Sequence, residues 1–261
     1  MTKSRKRKDR NPFHQKVKPP SPDLDYPVRL NKYVAKTGIC SRRKAVDLIK
    51  AGQVSINDRT EIQPYAMVEK DDQVKLDGKV IVPETTHIYL LLNKPTGLIS
   101  TTADELSRKT ILDIIDFEGK ERLFPVGRLD RNTSGLILLT NDGDLAKKLS
   151  HPSHKVNKRY QVTLDKPLSD HHFDAIGNGL TLEDGLAPVK ELEILDPSRM
   201  TVSISIVMGR NRIVRRIFES LGYEVKRLDR HYYAGLTKKG LPRGKFRPLT
   251  SSEIIMLKHF S

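Results

Sequence analysis

One nine-residue loop restricts this chain more than any other feature. Gly127-Arg128-Leu129-Asp130-Arg131-Asn132-Thr133-Ser134-Gly135 lies between two apolar runs, Leu123-Phe124-Pro125-Val126 and Leu136-Ile137-Leu138-Leu139. The runs read as buried strands, so the polar loop between them must be carried on a rigid scaffold, an arrangement that suits function. Glycine closes each end, where a tight or positive-φ turn costs least. Near its centre stands a single carboxylate, Asp130, with Arg128 and Arg131 on either side. Taken alone, the loop is equally compatible with a polar β-turn carrying a surface Asp.

Charge points to a polyanionic partner. Lys and Arg number 47 against 32 Asp and Glu, a net +15, and such an excess concentrates phosphates near the surface. Residues 1–20 hold eight of the cations against one Asp, a local +7. The tail 1–27 also carries Pro12, Pro19, Pro20, Pro22 and Pro27. It cannot bury enough apolar surface to offset its ordering entropy, so disorder is expected. It can bind RNA by counterion release or serve only solubility.

Composition also closes several classes. The single cysteine, Cys40, excludes an internal disulfide and a cysteine-rich zinc site, and fits a reducing cytoplasm. His151 and His154 flank Pro152, and His171 and His172 are adjacent, so no metal site is expected. No apolar run approaches the roughly 18 residues of a membrane span. The basic N-terminus lacks the apolar core of a secretory signal, and there is no glycine-rich nucleotide loop. A cytoplasmic monomer with no metal, cofactor or membrane contact is expected.

The chain divides by pattern. In a first domain, 28–82, Leu30, Tyr33, Val34 and Thr37 share a helical face that Gly38 ends. Ser41 is placed to N-cap a helix over 42–51. Ala45, Leu48 and Ile49 form its stripe, and Gly52 stands at C′. Short strands follow at Val54–Ile56, Val68 and Val74–Leu76, with turns at Asn57-Asp58 and Asp77-Gly78. Residues 83–86 read as a linker. In a second domain, 87–255, strands are expected at 87–92, 125–126, 136–140, 160–164, 191–195 and 201–207. Helices are expected at 110–115, 144–150, 170–176 and 211–221. Without a βαβ rhythm the class is α+β with a mainly antiparallel sheet.

The loop resembles the G-R-L-D-x-x-T-S-G signature of RNA pseudouridine synthases of the RsuA type. Three segments agree with it in order: Asn93-Lys94-Pro95-Thr96-Gly97, Lys158-Arg159-Tyr160, and Gly209-Arg210-Asn211-Arg212-Ile213-Val214-Arg215-Arg216. Arg29 to Ala45 resembles the start of the S4 RNA-binding domain. The resemblance covers roughly residues 28–252. It departs at Met208-Gly209, where relatives commonly have Glu-Gly, and at Arg212, where several have His.

The resemblance implies a small S4-like domain followed by a mixed-sheet synthase domain. The activity would be site-specific isomerisation of uridine to pseudouridine in ribosomal RNA, without a cofactor. The wording of 211–216 leans toward large-subunit RNA. The resemblance makes Asp130 the nucleophile, acting on a flipped-out uridine, with Tyr160 stacked under the target uracil. An ionised nucleophile in a partly buried loop calls for a permanent cation nearby, and the resemblance gives that role to Arg215, paired with Asp130. Helical periodicity puts Val214, Ile217, Phe218 and Leu221 on one face and Arg212, Arg215 and Arg216 on the other, so Arg215 is expected to leave the core. Ser41, Arg42, Arg43 and Lys44 would face RNA, as would Arg128, Arg131 and Arg212. The loop at Lys94 is read as structural support with possible RNA contact.

Blander readings stand beside these. Tyr160 would serve as core packing, Arg42 to Lys44 as a solvated face, and Asp142 and Asp144 as helix caps. Two other classes compete for the whole chain. One is a non-catalytic RNA-binding ribosome assembly factor that kept the fold. The other is a glycoside hydrolase, which needs two facing carboxylates where only one is well placed.

Overall fold

The computed structural model describes residues 24–84, 86–102, 104 and 106–259. The chain forms two compact units, 1–86 and 87–261.

In the first unit, helices Leu30–Lys36 and Arg42–Lys50 pack together. The first ends where Gly38 takes φ +76°. The second begins where the Ser41 hydroxyl accepts the Lys44 amide at 3.2 Å. A four-stranded antiparallel sheet follows, built from Val54–Ile56, Arg59–Thr60, Val74–Leu76 and Lys79–Val80. Both its two-residue turns, Asn57-Asp58 and Asp77-Gly78, have positive φ throughout, which matches the twist of the strands they join. Leu30, Val34, Ala45, Ile49, Val68 and Val74 form the core, and the Tyr33 hydroxyl ties it to the Ile81 carbonyl at 3.2 Å. Leu24 and Tyr26 also pack on this core, so the packed chain begins earlier than residue 28. The rest of the tail expected to be disordered, 1–23, lies outside the described residues. Within the expected linker, the Glu84 amide bonds the Lys36 carbonyl at 2.8 Å.

The second unit is built on a nine-stranded sheet. Across it run Glu191–Ile194, Thr201–Ile206, Lys158–Leu164, Val225–Tyr233, Ser134–Thr140, Tyr89–Lys94 and Phe246–Pro248. Leu236–Thr237 adds to the Val225 strand and Phe124–Pro125 to the Ser134 strand. One pair is parallel, Ser134–Thr140 beside Val225–Tyr233, and the rest are antiparallel. The run Leu136–Leu139 is buried on both faces. Ile137 and Leu139 join one core with Leu90, Leu92, Val162 and the helix Ile213–Glu219. Leu136 and Leu138 join the other with Leu91, Leu145 and Leu149.

Several expected boundaries shift. The helix expected at 211–221 spans Ile213–Glu219, because Arg212 adopts φ +46° and breaks helical geometry. The 110–115 helix is a short 3₁₀ turn, Ile111–Ile114. The unit does not stop at 255. Helix Ser251–Lys258 has a capping box on Thr250 and Glu253 and buries Leu257 completely. The central strand Val225–Tyr233 was not expected at all. Its Lys226, Arg227, Asp229 and Arg230 obscure the alternation that betrays a strand, and its partner Lys158–Leu164 shifts register twice beside it.

The parallel pairing is short. Ser134 and Gly135 pair with Asp229 and Arg230, after which Phe124–Pro125 takes over opposite Thr140 and Leu139. Arg230 fills the split, donating from Nε to the Leu136 carbonyl at 2.8 Å and stacking on Tyr233 at 4.5 Å. Gly135 makes this close approach possible. Its φ is +113°, and a Cβ there would lie 2.2 Å from the Arg230 carbonyl oxygen and 2.4 Å from its nitrogen. Gly97 also has positive φ, +89°, but a Cβ there would meet nothing within 4 Å. Gly97→Ala should therefore cost only backbone strain of about 1–3 kcal/mol. Gly135→Ala should cost clearly more, because two strands must separate. Denaturant melts of the two variants check this, and equal losses would remove the close-approach argument.

Candidate active site

The loop 127–135 is held from below by a buried lysine. Lys94, at the end of its strand, is fully buried. Its ammonium donates to the carbonyls of Thr133 at 2.8 Å, Asp130 at 3.0 Å, Pro95 at 3.2 Å and Arg131 at 3.4 Å. The loop's first half is held by Ser100, whose hydroxyl donates to the Leu129 carbonyl at 2.8 Å and accepts the Leu129 amide at 3.2 Å. The Thr133 amide closes a tight turn on the Asp130 carbonyl at 3.0 Å. With its carbonyls turned inward, the loop leaves the Asp130 side chain half-buried and Arg128 and Arg131 exposed. Arg131 Nε reaches the Gly97 carbonyl at 3.3 Å. Among the described residues, Arg128 makes no side-chain hydrogen bond or ion pair.

A single row of the sheet joins the loop to the other expected residues. Tyr160 pairs with Arg230, Arg230 with Gly135, and Gly135 with Lys94. With strands about 4.8 Å apart, Tyr160 stands roughly 10 Å from the loop's final glycine. Between them lies Arg230, whose main chain closes directly on Gly135. Tyr160 is 8% exposed and packs in the core that also holds Val162 and Ile204. Lys158, two residues earlier, donates to the Val156 and Val207 carbonyls, both at 3.1 Å. Burial, reinforced by Arg230, pushes its pKa down to about 8.

Arg215 departs from its expected placement. It does not leave the core: it is 7% exposed. Its guanidinium donates to the Val225 carbonyl at 2.8 Å and to the Asn132 carbonyl at 3.1 Å. No ion-pair contact within 4.0 Å joins it to Asp130. The seven-residue helix packs so tightly on the Val225 strand that Ile213, Val214, Arg215, Ile217 and Phe218 are all buried. Asp130 is felt through space instead. Burial lowers the Arg215 pKa and Arg212 adds to this, while Asp130 and Glu219 oppose it.

The other arginines of this segment are tied at the surface, Arg212 to Glu219 at 3.1 Å and Arg216 to Asp184 at 2.6 Å. In the first unit, Ser41, Arg42, Arg43 and Lys44 are all exposed around one helix start. The Asp142 carboxylate caps its helix at the Leu145 amide, 2.9 Å away, and accepts the Tyr89 hydroxyl at 2.8 Å.

Sequence reasoning passed over Arg230 and Asp229, because the strand that carries them was not recognised. Asp229 accepts the Ser134 hydroxyl at 2.7 Å, Arg243 at 2.6 Å, and Lys238. Burial acts to raise its pKa, but these three partners outweigh that and hold it low. Lys94 was legible as a lysine ending a buried strand, and its role as a loop clamp was not. Chemically the site offers one carboxylate on a rigid loop, a nearly buried tyrosine, and a buried cation within electrostatic range. Among the described residues, no three His, Cys, Asp or Glu side chains gather as a metal site. No described helix is long and apolar enough to cross a membrane.

Known proteins are similar to this chain in sequence and fold. A family profile described as RNA pseudouridylate synthase matches residues 88–220, and one described as S4 domain matches residues 28–74. The chain is 40% identical over 234 residues to ribosomal large subunit pseudouridine synthase B of Bacillus subtilis (strain 168), covering 88% of this chain and 95% of that one. It is 38% identical over 235 residues to the dual-specificity RNA pseudouridine synthase RluF of Escherichia coli (strain K12), covering 89% and 79%. A crystal structure of a pseudouridylate synthase superposes with a TM-score of 0.65 at 32% identity, covering 88% of this chain and 99% of that one. The chain belongs to the RNA pseudouridine synthase family, as an S4-domain member of the RsuA type.

Proposed function

We propose that this enzyme isomerises a uridine of ribosomal RNA, in the large subunit, with Asp130 as the nucleophile on a flipped-out nucleotide. The large-subunit reading follows the name of the Bacillus subtilis relative. The role of Asp130 is carried by one observation: it is the only carboxylate of a loop whose main chain is clamped by Lys94. The reaction breaks the N1–C1′ bond and forms a C5–C1′ bond. The C5 proton is released and N1 regains one, so nothing is added or lost overall and no redox step is needed.

Extruding the base costs a few kcal/mol. The exposed Arg128 and Arg131 are placed to hold the RNA around the vacated position, and the Tyr160 ring to stack on the uracil. Arg215 fixes the Asn132 carbonyl and supplies positive potential toward Asp130 without occupying its oxygens. Ser41 to Lys44 and Arg212 contact RNA elsewhere, and the enzyme works as a cytoplasmic monomer without a cofactor.

Asp130→Asn is nearly isosteric. Tritium release from 5-labelled uridine in ribosomal RNA should fall at least about 10³-fold, the scale of losing a catalytic group, while RNA affinity stays within about twofold. Substantial turnover by this variant would remove Asp130 from the role.

Arg215→Leu leaves the Asn132 and Val225 carbonyls without their donor. Turnover should fall by about 100-fold or more, with a loss of about 1–3 kcal/mol in stability from the unsatisfied groups. Arg215→Lys keeps the charge but loses the planar fork, so intermediate turnover is expected. A Leu variant as active as the parent would exclude the role.

Lys94 sets the pH response. Burial pushes its pKa down to about 8, with Arg243 and Arg230 adding to that and Asp130 opposing. Its value in the unfolded chain is the ordinary 10.5. Between these values the unfolded chain binds the extra proton, so this group's contribution to stability rises with pH across that window. What is lost above about 8 is one donor of the loop clamp. Turnover should therefore decline as pH rises through about 8, without a matching loss of thermal stability from this group. Lys94→Arg, which stays protonated, should abolish that alkaline limb. Lys158→Met, at the other lysine held near 8, should leave it in place. A limb unchanged in the Arg variant would disprove the assignment.

A further inference from the structure

On the face of the sheet turned away from Tyr160 lies a cleft of about 490 Å³. Strand alternation sets the faces. Tyr160 and Val162 pair with Arg230 and Leu228 on one side, while Gln161 and Thr163 pair with Asp229 and Arg227 on the other. Gln161, Thr163, Asp229 and Arg227 line the cleft, together with Asn132 and the cations Lys226, Lys238 and Arg243.

Four cations thus stand against one carboxylate. Asp229 is saturated by Ser134, Lys238 and Arg243, so it holds two cations at the wall and leaves a positive surplus. Lys226 is paired with Glu224 at 2.7 Å. Arg227 is exposed and has no acidic partner among the described residues. Leu228 is the single apolar residue of the lining, so the cleft offers mainly amide, hydroxyl and charged groups. Amide and hydroxyl groups beside unpaired positive charge suit phosphate and sugar, and carry no base reading. The cleft also touches the catalytic loop. Asn132 lines it, and the carbonyl of the same residue is bonded by Arg215.

We propose that this cleft binds the sugar–phosphate backbone of the RNA strand next to the target uridine, with Arg227 as its free phosphate ligand and Lys238 and Arg243 fixed by Asp229 as its wall. The inference rests on the RNA-substrate reading and extends it to a second surface on the opposite face of the sheet. It predicts that the strand passes the loop edge at Asn132, so the phosphates beside the target are held while the base is presented to Asp130.

The test uses the full chain, a transcript of large-subunit ribosomal RNA, and the variants Arg227→Gln and Arg227→Glu. Lys190→Gln, at an exposed lysine beside the far edge strand, is the control. Binding is measured across about 50 to 200 mM salt, where each lost contact to a single strand flattens the log–log slope by about 0.7. Arg227→Gln should flatten it by about that amount and raise KM several-fold, with kcat at saturating RNA unchanged. Arg227→Glu should weaken binding further, and Lys190→Gln should change neither quantity. Arg227 is exposed, so melting curves should match the parent and exclude misfolding. A slope and KM equal to the parent's, or to the control's, overturns the proposal, as does a fall in kcat at constant KM. Failure of the substrate reading shows separately, as absence of pseudouridine in the transcript treated with the unaltered enzyme. The salt slope decides the cleft in either case.

Discussion

The buried ammonium of Lys94 organises the catalytic end of this enzyme. An unpaired charge removed from water costs several kcal/mol, and here four main-chain carbonyls offset that cost, three of them from the loop 130–133. Only a loop that turns those carbonyls inward can satisfy the lysine. The same turn leaves Asp130 half-buried and Arg131 exposed. Arg243 secures the clamp from outside, bonding the Lys94 carbonyl at 3.2 Å and the Asn93 side chain at 2.7 Å. Loop shape, side-chain direction and strand end are therefore set together.

The buried arginines follow a common rule. Arg215 and Arg230 donate to main-chain carbonyls, at Val225, Asn132 and Leu136. The exposed Arg212 and half-buried Arg216 take carboxylates, at Glu219 and Asp184. On the proposed reading of Asp130 as nucleophile, a contact ion pair would tie up the oxygens it needs. Carbonyl-bound arginine keeps positive potential near Asp130 and leaves those oxygens available.

Much of this was legible in the residues. The strand at 134–140 was announced by its apolar run, the helix starts by Ser41 and Asp142, and the hairpins of the first unit by Asn57-Asp58 and Asp77-Gly78. The family resemblance rested on contiguous motifs and so survived errors in the elements between them. What could not be read was long-range. The strand 225–233 is stabilised by neighbours far away in sequence, and its charged residues look like surface until Arg230 is seen filling the gap beside Gly135. Helical periodicity misplaced Arg215, because a seven-residue helix pressed into a sheet buries more than one stripe.

Energetics connects the two surfaces of the sheet. Flipping a base costs a few kcal/mol, and that cost must be met by contacts that persist while the base is out of its stack. Contacts to phosphate persist, because the backbone stays in place as the base turns. They are also blind to sequence, so on the proposed reading site choice comes from geometry. The preferred uridine is the one that can reach Asp130 while its neighbouring phosphates lie against Arg227 and its stem is held elsewhere. The link between these conditions is Asn132, whose carbonyl is fixed by Arg215 and whose flank forms the cleft wall.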